Sequence, residues 1–358
     1  MYYFRADGNA VTGAGNLMRC LTIADELKKQ LEIAKKKQPA DQIQFLCADE
    51  ASAALVTKSG HEAKILYTDC TCMEQELPVL ELMFESENPT TEREVDVRAE
   101  ANNVFLVDSY FVTDSYLKKL GAYGKVFLLD DMCRQAFSVD GVINYNAFAR
   151  EEAYAALYAG RGTRYYTGSN FVPVRPQFLN HDYEVQETVT DVLITTGGGD
   201  SDNIAAEVVK AIWNPDWCYH VIVGQFNPHF QTWKRWEMQH PQLQIHHDVK
   251  DMAGLMRQCD MAVTAGGTTI YELAAIGVPF LCFSYAENQE ALTGYVGRMQ
   301  IAADCGAYHL EKETTLARMK ELAQKVGSDY KLRQEMCARE RAMIDGKGAG
   351  RLAQILGV

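Results

Sequence analysis

Short apolar runs recur along the chain between helix-length amphipathic segments, at 2–5, 43–47, 64–67, 104–107 and 126–129, then at 192–195, 220–223, 244–246, 261–264 and 279–283. Runs that are apolar on successive residues suit strands buried on both faces, and the helices between them suit the crossovers that parallel strands require. With 358 residues, 47% of them hydrophobic, the chain has enough apolar mass for two cores. The break in the pattern is Phe171-Val-Pro-Val-Arg-Pro-Gln-Phe178 and the polar stretch 179–190, which carry prolines and charges but no repeating apolar face. The expectation is an α/β chain of two Rossmann-like domains, over 1–180 and 186–335. A C-terminal helical segment is expected over 336–358.

Ligands of parallel α/β sheets bind beyond the carboxyl ends of the strands, so the turns there are read first. Ala265-Gly-Gly-Thr-Thr-Ile-Tyr-Glu272 follows the apolar run 259–264 and opens a helical pattern. Gly266 and Gly267 permit a tight turn, and Thr268 and Thr269 stand where a helix exposes unpaired N–H groups and its positive dipole end. A diphosphate is stabilised at such a place without a basic side chain. Glu272 lies on the same helical face, where its carboxylate is able to accept from vicinal hydroxyls such as those of ribose. The plainer reading of these eight residues is a capped, packed helix. Gly13-Ala-Gly15 precedes a helix pattern from Asn16, and Gly197-Gly-Gly-Asp200, with Gly198 at its centre, precedes another from Asn203. A nicotinamide-binding turn wants a small residue where Met18 stands and an acidic strand end about 20 residues later, which is missing.

A net charge of -13 opposes nucleic acid and anionic lipid as partners. No apolar stretch approaches the roughly 20 residues of a membrane span, and the first residues lack the pattern of a signal peptide, so no integral membrane segment and a cytoplasmic location are expected. Ten cysteines without a C-x-x-C pair fit reduced thiols, and neither a metal nor a cofactor is expected. His246 and His247 are adjacent on an expected strand and point to opposite faces, which makes them poor joint ligands. Asp130-Asp131 reads as a turn, Ser109 and Ser201 lack a recognisable histidine partner, and Trp213, Trp217, Trp233 and Trp236 read as packing. The acidic stretch 74–100 reads as a solvated pair of helices. Oligomeric state is not legible.

The stretch 266–272, the segment Asp251-Met-Ala-Gly-Leu-Met256 before it and Glu287-Asn-Gln289 after it resemble the donor half of glycosyltransferases of the GT-B fold. The resemblance is closer to the UDP-2,4-diacetamido-2,4,6-trideoxy-β-L-altropyranose hydrolases of pseudaminic acid biosynthesis. It rests on Arg5-Ala-Asp-Gly-Asn9, Gly13-Ala-Gly-Asn-Leu-Met-Arg19, Val107-Asp-Ser-Tyr110, Leu129-Asp-Asp131, Val174-Arg175 and Ile344-Asp-Gly-Lys-Gly348. It implies two domains facing across a cleft and a UDP-sugar substrate. Backbone near Val249 then reads uracil, Glu272 the ribose, and the turns at Gly198 and 266–269 the diphosphate, with Asn288 and Gln289 on sugar hydroxyls or acetamido groups. Gly13 and Gly15, with Asp7, Asn16 and Tyr110, belong to the sugar side, where water attacks the anomeric carbon with inversion. The family has histidine directly after its Gly-x-Gly turn; Asn16 stands there in this chain. A carboxamide does not take up a proton near neutrality. Four readings follow: Asp7 serves as base, Asn16 only orients the water, the replacement has inactivated a UDP-sugar-binding protein, or the chain is a transferase in which Asn16 faces an acceptor hydroxyl. Asparagine is also a good helix cap.

Overall fold

The structure, a computed structural model, describes residues 1–34, 42–87, 103–179, 182–197, 199–224 and 227–357. The chain divides into two compact units, Met1–Pro173 with Lys347–Val358, and Val174–Gly346.

In unit 1 the order is β1 (Tyr2–Ala6), α1 (Gly15–Ile33), β2 (Ile43–Cys47), α2 (Glu50–Lys58), β3 (Glu62–Ile65), α3 (Leu77–Glu87), β4 (Val104–Asp108), α4 (Asp114–Leu120), β5 (Lys125–Leu129), β6 (Gly141–Asn144), α5 (Glu151–Leu157) and β7 (Arg164–Thr167). All seven strands run parallel, in the order β3-β2-β1-β4-β5-β6-β7. The reversal of winding lies between β1 and β4, the place where such sheets open a crevice. One sheet face sends Tyr3, Phe105, Val107, Val126 and Leu128 into a core with Leu80, Phe84, Tyr116 and Leu117. Burial of such side chains is worth about 1.5–3 kcal/mol each. On α1, Leu17, Cys20, Leu21, Ala24 and Leu27 are buried, as their spacing requires. Of the solvated pair of helices expected over 74–100, α3 is instead a core helix, burying Leu77, Leu80, Met83 and Phe84; residues 88–102 lie outside the described residues.

In unit 2 the order is β8 (Asp191–Thr195), α6 (Ile204–Ala211), β9 (Cys218–Val223), α7 (Phe230–Gln239), β10 (Leu243–His247), α8 (Met252–Gln258), β11 (Met261–Ala265), α9 (Thr269–Ile276), β12 (Phe280–Ser284), α10 (Glu287–Arg298), β13 (Ala303–Ala307), α11 (Lys312–Ser328) and α12 (Tyr330–Met343). Its six parallel strands are ordered β10-β9-β8-β11-β12-β13, with the reversal between β8 and β11. Val192, Ile194, Tyr219, Val221, Val263, Leu281 and Phe283 alternate into one core, shared with Val208, Trp233 and Met319. Trp217 and Trp233 are buried there and Trp236 packs against them, the use expected of these residues.

Two features depart from the sequence pattern. The strands β6, β7 and β13 have no strong apolar run: Gly141-Val-Ile-Asn144 is short, Arg164-Tyr-Tyr-Thr167 is a half-buried edge, and Ala303-Asp-Cys-Gly-Ala307 lacks β-branched residues. The segment 336–358 is also not one piece. α12 belongs to unit 2, whereas the final helix, α13 (Gly348–Ile355), packs on α1 in unit 1. There Gln30 Nε2 donates to the Gly350 carbonyl at 3.1 Å and Arg351 to the Asn170 carbonyl at 2.8 Å. A bare glycine at 348 is required, because a Cβ would lie 2.1 Å from the Val172 carbonyl oxygen.

Candidate functional site

Each unit carries a group of polar side chains at the carboxyl edge of its sheet, beside the reversal of winding. In unit 2 the turn after β11 packs tightly. A Cβ on Gly266 would lie 2.6 Å from Thr293 Cγ2 and 2.9 Å from Gln289 Cβ, so only glycine lets the turn rest on α10. Gly267, in contrast, faces open space. The two glycine N–H groups are already used, Gly266 donating to the Phe283 carbonyl and Gly267 to that of Ala265. Of the turn read for the diphosphate, the amides of the two glycines are therefore already taken. The N–H groups of Thr268 and Thr269 have no acceptor among the described residues, and the Thr268 side chain does not cap the helix. Two donors at a helix start, beside room for a ligand, suit an anion.

Glu272 stands one turn into α9. Its Oε1 accepts from Arg175 Nη2 at 2.8 Å, and the Arg175 guanidinium lies over the Phe178 ring, 4.7 Å from its centre. Burial pushes the Glu272 carboxyl above the ordinary range, with Arg175 acting against it. Arg175 therefore fixes one carboxylate oxygen of Glu272. The polar end of Gln289 is committed: its Oε1 accepts from the Tyr285 N–H at 3.0 Å, whereas Asn288 is exposed beside it. Val249 is half-buried in the loop after β10, which turns at Asp248 with φ 50°. Gly198 lies outside the described residues. The α6 start beyond it is closed to a ligand anion, because Asp200 accepts from the N–H groups of Ile204 at 2.7 Å and Ala205 at 3.0 Å. A carboxylate already satisfies the donors that a phosphate would need.

In unit 1 Gly13 takes φ 69° and donates its N–H to the Asn9 carbonyl at 2.9 Å, while Asn9 Oδ1 accepts from the N–H groups of Val11 and Thr12. This closes the loop into α1, whose first residue is Gly15. The cap position is Ala14, so Asn16 is inside the first turn and the capping reading of Asn16 fails. Asn16 is buried. Asp7 is buried too, and both oxygens are engaged: Oδ2 with Arg5 at 2.6 Å and Oδ1 with the Ala48 N–H at 2.8 Å. Arg5 also donates from Nε to Glu76 at 2.9 Å, and Tyr116 OH donates to the same carboxylate at 2.9 Å. Asp7 thus ties β1 to β2 through both of its oxygens.

Of the strongest constellation in unit 1, the sequence assigns a chemical role to Tyr110 alone. Arg19, buried on α1, donates to both oxygens of Asp108 at 2.6 Å, to Asp131 at 2.9 Å and to Tyr145 OH at 2.6 Å. Half-exposed Tyr110 donates its OH to Asp131 at 2.7 Å, and Asn146 Nδ2 donates to Asp131 at 2.8 Å. Burial opposes charge on Arg19, but Asp108 and Asp131 outweigh it and hold the guanidinium charged. Burial alone would raise Asp131; Arg19 and the Tyr110 hydroxyl reverse that and keep its carboxyl below the ordinary range. Asp131 is therefore an anchor rather than the turn residue expected, while Asp130 does hold a turn, accepting from the N–H groups of Met132 and Cys133. The available sequence signal is a cation at position 19 between the apolar residues Leu17, Cys20 and Leu21 of the first helix pattern.

Among the described residues Asp191, Cys218 and His220 offer ligand atoms within 4.8 Å of one another. His247 takes no part in that group, and no helix of the described residues is long and apolar enough to cross a membrane.

No protein-family model matches the sequence. The chain is similar to the spore coat polysaccharide biosynthesis protein SpsG of Bacillus subtilis, with 31% identity over 208 residues that span 56% of this chain and 60% of that protein. It is also similar to the pseudaminic acid cytidylyltransferase and UDP-2,4-diacetamido-2,4,6-trideoxy-β-L-altropyranose hydrolase of Helicobacter pylori, with 26% identity over 196 residues, 52% of this chain and 35% of that protein. In both cases less than two thirds of the relative is spanned. Among solved structures, MurG of Acinetobacter baumannii superposes with a TM-score of 0.61 at 13% identity, covering 99% of this chain and 98% of that one. Anabaena Alr3699/HepE in complex with UDP and glucose gives 0.55 at 13% identity, covering 99% and 97%. Identities this low speak for fold alone, and the fold they share with this chain is the α/β architecture of two Rossmann-like domains found in GT-B glycosyltransferases.

Proposed function

We propose that the chain is a UDP-sugar enzyme whose second unit holds the uridine diphosphate. The observation that carries this is the start of α9, where the Thr268 and Thr269 N–H groups lack acceptors beside open space at Gly267 and Glu272 is held by Arg175 one turn on. The diphosphate takes the two amides, and the ribose hydroxyls donate to the Glu272 oxygen that Arg175 leaves open. Val249 backbone reads the uracil. A UDP complex of a protein of the same fold and the sugar-biosynthesis names of both curated relatives support the same reading.

The reaction we favour is hydrolysis with inversion at the anomeric carbon. The water oxygen bonds to that carbon as the carbon–oxygen bond to phosphate breaks, UDP leaves with the electron pair, and the water proton passes to solvent or to a base. With Asp7 engaged by Arg5 and Ala48, we assign Asn16 to orienting the nucleophile, and Tyr110, which donates to Asp131, to contact with the sugar. Loss of a positioned base costs about 10²–10⁴ in rate, so hydrolysis in this chain is slow. Transfer to a sugar acceptor is the second reading, favoured by the same replacement at 16. Two measurements test these. Calorimetric titration with UDP is expected to show binding that Glu272→Ala weakens about 10–100-fold, the equivalent of roughly 1.5–3 kcal/mol for a charge-assisted hydrogen bond. Unchanged affinity would remove the uridine assignment. NMR of a UDP-sugar panel with the protein and with Asn16→His then separates hydrolysis that the imidazole accelerates from release that only an added acceptor accelerates.

A further inference from the structure

The amino end of the unit 2 sheet, away from the diphosphate loops, holds a second group of reactive side chains. Asp191 and Cys218 are register partners at the starts of β8 and β9, and His220 is two residues further along β9, so all three lie on one sheet face. That face is opposite the one that feeds the apolar core. His220 Nε2 is 2.8 Å from Asp191 Oδ1, and the Cys218 sulfur completes a triangle whose ligand atoms lie within 4.8 Å of one another.

We propose that Asp191, Cys218 and His220 form a binding site for a borderline divalent transition metal, zinc being the first choice. One sulfur, one imidazole nitrogen and one carboxylate oxygen are a zinc donor set, and they leave a fourth position for water. Bonds of about 2.0–2.3 Å in a tetrahedron set ligand separations near 3.3–3.7 Å, so His220 and Asp191 part by only about half an ångström when the metal replaces the proton between them. The Cys218 thiol proton leaves to the buffer, and the His220 proton moves from Nε2 to Nδ1 through solvent, so the imidazole stays neutral.

Each of the three side chains is also held from behind. Thr190 Oγ1 donates to Asp191 Oδ2 at 2.7 Å, turning Oδ1 toward His220. His246 Nε2 lies 3.1 Å from His220 Nδ1, with the two rings stacked at 5.3 Å. Gln244 Nε2 donates to Cys218 Sγ at 3.1 Å. Outer partners of this kind orient metal ligands and fix the imidazole tautomer, and with His220 Nδ1–H given to His246 the Nε2 lone pair is the one that faces the metal. The site lies opposite the nucleotide loops and makes no demand on the reaction proposed above.

The test is titration of the full chain with Co²⁺, followed by the near-ultraviolet thiolate-to-cobalt charge-transfer band, and then displacement by Zn²⁺. One equivalent of metal is expected, with a band that Cys218→Ser abolishes. His220→Gln should lose the band at matched metal, and His246→Gln should keep it with affinity lowered about 10–100-fold. Urea midpoints of the metal-free variants check that each is folded. A wild-type protein without the band, or a band that persists in Cys218→Ser, overturns the proposal. Equal affinity in His246→Gln and wild type would overturn the assigned role of the imidazole behind His220.

Discussion

The carboxyl edges of the two sheets solve different problems with different materials. In unit 2 the groups proposed for the diphosphate and ribose are backbone N–H donors and one carboxylate, all within the five residues from Thr268 to Glu272. In unit 1 the edge is a web of charged side chains drawn from four places in the sequence, with Arg19 at its centre and Asp108, Asp131, Tyr110 and Asn146 around it. The first arrangement leaves donors open and the second leaves almost none. A helix start keeps its unpaired N–H groups at little cost, since the dipole and water hold them until an anion arrives. A buried guanidinium has no such freedom; unless its carboxylates stay in place, its desolvation is uncompensated. Unit 2 thus keeps donors open, as the proposed UDP site requires, and unit 1 holds side chains such as Tyr110 in a fixed direction.

The largest test of that contrast is Arg19→Leu. It leaves Asp108 and Asp131 buried beside each other without a cation, and breaking a buried ion pair from one side costs about 3–5 kcal/mol. Urea unfolding should show a loss of that size, rescued in part by Asp108→Asn in the same chain. A loss below about 1 kcal/mol, the size of a surface pair, would mean that the network is solvated and holds nothing. In unit 2 the equivalent test compares adjacent glycines. Gly266→Ala drives a methyl into Thr293 and Gln289 and should cost about 1–3 kcal/mol, whereas Gly267→Ala meets nothing within 4 Å and should leave the urea midpoint unchanged. If Gly267→Ala nevertheless lowers UDP affinity, the space beside Thr268 belongs to the ligand. Equal stability losses at both positions would break the picture of one packed and one open glycine.

Tyr110→Phe is a smaller change, expected to lower stability by about 1 kcal/mol because a half-exposed hydroxyl exchanges Asp131 for water. Its sharper consequence is on turnover of a UDP-sugar with UDP affinity unchanged.

The same contrast explains what the sequence discloses. The turn at 266–269 is contiguous, so glycine, threonine and glutamate at fixed offsets announce it, and the structure adds only that the two glycine N–H groups are already occupied. Parallel strands with both faces covered read as apolar runs for the same local reason; β6, β7 and β13 escape because edge or short strands carry no such run. The ion network is non-local. Nothing near Arg19 points to Asp108 or Asp131, which reach it only because β4 lies beside β1 in the sheet and β5 comes next. Asp7 shows the reverse case: a carboxylate at a strand end invites a chemical role, and its contacts with Arg5 and Ala48, distant or unreadable in the sequence, give it a structural one.

The smallest effect to look for is a difference in how the two edges respond to acid. The Asp131 carboxyl lies below its unfolded value of about 3.9, burial being outweighed by Arg19 and the Tyr110 hydroxyl. Below that value the unfolded chain binds the proton more readily, so the stability Asp131 contributes is complete above the unfolded pKa and is lost as pH falls through the folded one. Glu272 moves the other way: burial raises its carboxyl despite Arg175, so its contribution is complete below the unfolded value and is lost as pH rises through the folded one. Urea midpoints measured from about pH 3 to 6 for Asp131→Asn and Glu272→Gln separate the two. The deficit of Asp131→Asn relative to wild type should shrink toward the acid end, while Glu272→Gln should gain on wild type as pH rises. UDP should reverse part of the second slope, because ribose hydroxyls stabilise the ionised carboxylate. Parallel slopes in the two variants would mean that both carboxylates sit in one kind of environment, and the division between a receiving edge and a holding edge would then have no electrostatic basis.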